Sequence, residues 1–164
     1  MFEEKSGFQK DLETWLLDAK KIVVAGIGNP IRQDDFVGVK IVQDLRGKVS
    51  ENVKLIESET VPESFIEPIA RFEPNHILII DSALLDLKAG SSKLVEAQAI
   101  PYFPAISTHT LPLRIFCDML SAMTRAKIAI LAIQPKDVDF GEGLTKEVEN
   151  AARIIIKILV DVLP

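Results

Sequence analysis

Two adjacent carboxylates, Asp34 and Asp35, follow the glycine-bearing turn Gly26-Ile27-Gly28-Asn29. A third, Asp81, closes the apolar run that begins at His76, and His109 sits between Thr108 and Thr110 in a segment broken by Pro101 and Pro104. Two carboxylates and one imidazole, drawn from Asp35, Asp81 and His109, form a mixed oxygen and nitrogen donor set. Such a set suits a divalent ion such as nickel, zinc, manganese or iron(II). With three protein donors, coordination positions stay open for water or for ligands supplied by a partner. Asp35 and Asp81 are also a conceivable proton-sharing pair, so a carboxylate mechanism stays open beside a metal one.

Each residue has a plainer reading. Asp34 is expected to cap the helix that starts at residue 36, and the local pattern does not separate Asp35 from that role. An Asp at a strand end is often a turn residue, and a lone His in a loop is often only hydrogen-bonded there. His76 precedes its strand at the opposite edge and is assigned no chemistry. Cys117 falls on the apolar face of its helix, as a small buried hydrophobe. Ser82 and Ser107 lie near the proposed edge, but neither has the context of a nucleophile elbow.

The glycines invite a dinucleotide reading, which the spacing opposes. The fingerprint needs a third glycine where Ile31 stands, and a helix opening directly beneath the turn to hold a pyrophosphate. Pro30, Arg32, Gln33 and the two acids intervene instead, and carboxylates repel phosphate. Glu57 and Glu59 could imitate the ribose-binding acid, so a nucleotide-binding domain is kept as a minor alternative.

The positioning elements follow from periodicity. Phe8, Leu12, Trp15, Leu16 and Ala19 recur at helical spacing over residues 7–20. Strand one covers 21–27, and a helix covers 36–47, ending at Gly47. A strand at 53–57 precedes a helix from Pro62 to Phe72, stopped by Pro74. The third strand, 76–80, is almost wholly apolar and therefore central, covered on both faces. A short strand at 92–97 fits an edge. A helix at 111–124, a strand at 126–133 and an acid- and glycine-rich loop at 135–143 complete the series. Thr145 is placed to cap the final helix, whose buried stripe is Val148, Ala152, Ile155, Leu159 and Val162. Strands alternate with helices, so the class is α/β, a three-layer fold with a mostly parallel twisted sheet and helices on both faces. Residues 1–20 read as an N-terminal helical extension and 21–164 as a single α/β domain.

At 164 residues the chain can bury a core without disulfides, and its single cysteine excludes an internal one. A net charge of −5 argues against nucleic acid as a partner. The charged N-terminus lacks the apolar region of a signal peptide, and no apolar run reaches membrane-spanning length. These features point to a cytoplasmic protein that does not engage a membrane.

Four ordered segments, GIGNPIRQDDFVGV, ILIIDSALL, ISTHTLPL and GLTKEVENAARIIIKIL, together resemble the hydrogenase maturation protease family. Its members are endopeptidases that trim the C-terminal tail of the large-subunit precursor of nickel–iron hydrogenases. The resemblance spans Lys21 to about Leu163. Carried over by position, it implies that Asp35, Asp81 and His109 recognise nickel already seated in the precursor, with Asp35 and Asp81 as candidate catalytic acids. Nickel would then belong to the substrate, and the isolated protein would hold it weakly or not at all. The runner-up from another class is a non-catalytic nickel-delivery or nickel-sensing partner using the same residues. The helix before strand one departs from typical members; it reads as a packing element or as a docking or self-association element.

Overall fold

In the computed structural model, residues 7–102 and 113–164 are described; His109 lies outside them. Five strands, β1 (Ile22–Ile27), β2 (Val53–Glu59), β3 (His76–Ser82), β4 (Ser92–Glu96) and β5 (Lys127–Ile133), form one sheet in the order β2-β1-β3-β5-β4. All pairings are parallel except β4 with β5, which is antiparallel. The short strand expected at an edge is therefore an edge strand, and a reversed one. The direct loop from β3 reaches β4 at the same sheet edge, so no crossover helix is needed.

The helices are α1 (Gly7–Trp15), α2 (Val37–Leu45), α3 (Ile66–Phe72), α4 (Leu113–Met123) and α5 (Lys146–Val162). Alternate residues of each central strand feed two cores, because successive side chains point to opposite faces. Ile22, Val24, Leu78 and Ile80 pack with α1, α2 and α5. Val23, Ala25, Ile77 and Ile79 pack with α3 and α4. Every residue of β1 and β3 is buried, as the continuous apolar runs require. The three-layer α/β reading holds. Among the described residues, no helix is long and apolar enough to cross a membrane.

Several boundaries differ from the periodicity. Helix α1 ends at Trp15 rather than residue 20, and the chain then turns into β1. Helices α2 and α3 are each preceded by a 3-10 turn, Gln33–Phe36 and Pro62–Phe65. The chain after β4 makes a 3-10 turn over Ala97–Tyr102, which takes in Pro101. Glu73 ends α3 in the left-handed conformation (φ 53°), ahead of Pro74.

Helix α1 is fastened to the sheet from below. Leu12 is fully buried, and Trp15 meets His76 edge to face with ring centroids 4.8 Å apart. His76, the first residue of β3 and 1% exposed, holds the Trp15 carbonyl through Nε2 at 3.0 Å. Its Nδ1 is buried with no hydrogen-bond partner among the described residues. Burial holds the His76 pKa below its usual value, against the opposing pull of the Trp15 carbonyl and of Asp18. The unfolded chain therefore takes up this proton first as pH falls below 6.5. Stability from this site is complete above that pH and declines on acidification toward the lower folded-state pKa. Urea midpoints should fall between pH 7 and pH 5. That acid limb should flatten in His76→Gln, which keeps a donor for the Trp15 carbonyl.

Candidate functional site

The strand order places the topological switch point between β1 and β3: the chain leaves β1 toward β2 on one side and returns to β3 on the other. In open α/β sheets the crevice at the carboxyl ends of such strands is where ligands bind. Asp35 lies on the 3-10 turn after β1 and Asp81 next to the last residue of β3, both at this carboxyl end.

The backbone around Asp35 is drawn in tightly, and glycines make this possible. A Cβ on Gly28 would lie 2.1 Å from the Asp35 carbonyl oxygen. One on Gly26 would lie 2.3 Å from the Gly38 carbonyl oxygen, and one on Gly38 would lie 2.1 Å from that of Ile80. Helix α2 thus sits backbone against backbone on β1 and β3. The glycine spacing that resembles a nucleotide turn serves this close approach.

Asp35 is 2% exposed. Its Oδ1 accepts the Ser82 hydroxyl at 3.0 Å and its Oδ2 the Asn29 amide at 3.2 Å. Asp81 is fully buried, one residue before Ser82 on the same strand. Asp35 is thus tied to β3 at the residue next to Asp81, whose own side chain leaves the strand on the opposite face from that of Ser82. Ser82 was weighed in the sequence only as a nucleophile; its hydroxyl instead orients Asp35. The distance between Ser82 and Asp35 in sequence left no local signal of that contact.

Asp34 overturns an expectation. No side-chain cap is present at the 3-10 turn or at α2. Asp34 is fully buried and points away from its own helix, toward the segment between β5 and α5. Its Oδ2 accepts the amides of Lys136 and Asp137 at 2.9 and 3.1 Å and the Thr145 hydroxyl at 2.8 Å; its Oδ1 accepts the Thr145 amide at 2.7 Å. Thr145 occupies the N-cap position of α5, yet its hydroxyl is spent on Asp34 and caps nothing. Four charge-assisted hydrogen bonds at a distant loop outweigh the one or two that a local cap offers. The paired acids thus divide their work: Asp34 clamps two loops together, and Asp35 is held by Ser82 of β3 and by Asn29.

Cys117 is buried on α4 beneath the sheet, and burial, reinforced by Asp118, pushes its thiol up to about 12. At neutral pH it stays protonated and is no nucleophile. Among the described residues, no group of three or more His, Cys, Asp or Glu side chains is placed to hold a metal ion. That result does not extend to His109.

The comparisons agree on kinship. The family model for hydrogenase maturation protease (HycI) matches residues 39–162, a range that contains Asp81 and His109. A Methanocaldococcus jannaschii protein named as a hydrogenase maturation protease is 36% identical over 156 residues, covering 90% of this chain and 91% of that protein. The hydrogenase 3 maturation protease of Escherichia coli K12 is 25% identical over 133 residues, covering 81% of this chain and 85% of its own. The crystal structure of the nickel–iron hydrogenase maturation protease HycI from Thermococcus kodakarensis KOD1 superposes with a TM-score of 0.86 at 26% identity, over 93% of this chain and 98% of that one. With buried acids after β1 and at the end of β3, on either side of the switch point, and a family match across most of its length, this chain belongs to the hydrogenase maturation protease family.

Proposed function

We propose that this protein is the endopeptidase that removes the C-terminal extension of a nickel–iron hydrogenase large-subunit precursor in the cytoplasm, after nickel insertion. Asp35, Asp81 and His109 read the nickel that the precursor already holds. Family membership supports the protease activity. What supports the site assignment is the burial of two carboxylates, Asp35 and Asp81, at the carboxyl ends of the neighbouring strands β1 and β3, with Asp35 oriented by Ser82.

The donor chemistry supports a shared rather than a resident metal. Two carboxylate oxygens and one imidazole, without a thiolate, make a weak site for free nickel. Cysteine ligands in the precursor would complete the sphere and bring the scissile bond over the two acids. Either carboxylate can then serve as the base that takes a proton from the attacking water, a role that calls for hydrogen-bond reach and restricted orientation. The Ser82 and Asn29 donors already hold Asp35 in one orientation.

The purified enzyme should therefore be metal-free and should keep full activity on nickel-loaded precursor after exposure to a chelator that is then removed. Titration calorimetry with free nickel should give only weak binding. Tight stoichiometric metal in the isolated protein, with activity lost to chelator and restored by zinc, would make it a conventional metallohydrolase instead.

A further inference from the structure

Around the crevice stands a rim of exposed apolar side chains. Ile31, Val61, Leu84, Leu87 and Phe140 are 52, 45, 59, 51 and 81% exposed. They come from four separate loops, following β1, β2, β3 and β5, and in this sheet all four open on the carboxyl edge that carries Asp35 and Asp81.

Two members of the rim are held in fixed relation. The Gly141 amide donates to the Ile31 carbonyl at 2.9 Å, and the Gln33 amide to the Gly141 carbonyl at 3.1 Å. The Arg32 side chain donates to the Val138 carbonyl at 3.0 Å, and Asp34 fastens the start and end of the same loop. Phe140 is thus displayed on a loop tied at several points. Ordering so large an apolar side chain in water offers the free protein nothing, and exposed apolar clusters with a polar border mark contact surfaces.

The border has a sign. Exposed Asp139 and Glu142 flank Phe140. Of the neighbouring cations, Lys136 is paired with Glu147 at 2.8 Å, Arg32 is turned inward to Val138, and Lys146 is exposed at the start of α5, so Asp139 and Glu142 outnumber it beside Phe140. Lys88 is the exposed cation on the Leu84–Leu87 loop, where Asp86 offsets it.

We infer that the rim formed by Ile31, Phe140, Leu84 and Leu87 is the docking surface for the folded body of the precursor, which meets it with an apolar patch bordered by Lys and Arg. This rests on the protease reading above and extends it. Recognition then reaches beyond the tail and the nickel to the precursor's own surface, and the acidic border selects a basic counterpart.

The test uses the full-length protein and nickel-loaded precursor. Phe140→Ser and Glu142→Lys are compared with Leu17→Ser, which removes an 83% exposed leucine ahead of β1, at the opposite edge. Processing velocity is followed against precursor concentration, and binding to immobilised precursor is measured in parallel. Phe140→Ser should raise KM and Kd at least tenfold, Glu142→Lys severalfold, and Leu17→Ser neither, with unchanged melting temperatures throughout. Wild-type constants in Phe140→Ser would overturn the docking surface. If the wild type binds precursor without cutting it and Phe140→Ser binds poorly, the protease reading fails while the docking surface stands. A wild-type dimer that Phe140→Ser converts to a monomer in sedimentation would assign the rim to a second copy of this chain and overturn the inference.

Discussion

Asp81→Asn and Asp35→Asn should each lower processing of nickel-loaded precursor by at least about 100-fold, the ordinary minimum for losing a positioned acid–base group. Both carboxylates are buried at the carboxyl ends of β1 and β3, so on the proposed reading each would act largely shielded from water. Asparagine is the informative replacement. Alanine at position 35 would leave the Ser82 hydroxyl and the Asn29 amide without their acceptor, at a cost of about 1–3 kcal/mol in stability. Lost activity would then be confounded with a loosened crevice. Asparagine keeps an acceptor oxygen and nearly the same volume, yet cannot take a proton or supply a full charge to a metal. Single-turnover assays beside melting curves check this: activity should collapse while the melting temperature moves little. Wild-type rates in either variant would remove that residue from the site.

Asp34→Ala should be the most damaging change to stability among the acids, by about 3 kcal/mol, since a mutation there orphans several donors at once. Viewed only as a helix cap, Asp34 would be worth about 1 kcal/mol. The difference lies in its partners. The amides of Lys136, Asp137 and Thr145, with the Thr145 hydroxyl, all converge on this one carboxylate. Without it, the loop after β5 keeps only its ties to Ile31, Arg32, Gln33 and the Asp34 backbone and loosens at its two ends, so activity should fall together with stability. Denaturant titration measures the first effect. Hydrogen exchange at the amides of residues 136, 137 and 145 localises it, with faster exchange expected there than in β1 or β3.

This contrast marks what could be read from the sequence. Strands β1 and β3 were legible because Ile22–Ala25 and Ile77–Ile80 are continuous apolar runs, and both are buried on both faces. The parallel order then sets which loops share an edge, and so puts Asp81 and the turn carrying Asp35 at the same edge from topology alone. Long-range polar contacts were not legible. Asp34 and Thr145 each carry a strong local signal as a helix cap, and each satisfies the other across 111 positions instead. A local pattern ranks only the partners within a turn or two, whereas a buried carboxylate takes whichever donors the fold brings to it. The same limit hid the Ser82 contact to Asp35 and the Trp15 contact to His76. The reversed direction of β4 was equally silent, because a five-residue strand reads alike in either orientation.

The roles of the two acids and of the nickel meet in one measurement. Intact-mass spectrometry of a hydrogenase large-subunit precursor is recorded after incubation with this protein, once with nickel inserted and once metal-free. Under recognition of substrate-borne nickel, the nickel-loaded precursor should lose a single C-terminal fragment, the metal-free precursor should keep its full mass, and Asp81→Asn should leave both intact. Equal shortening of both forms, or no shortening of the nickel-loaded one, would contradict it.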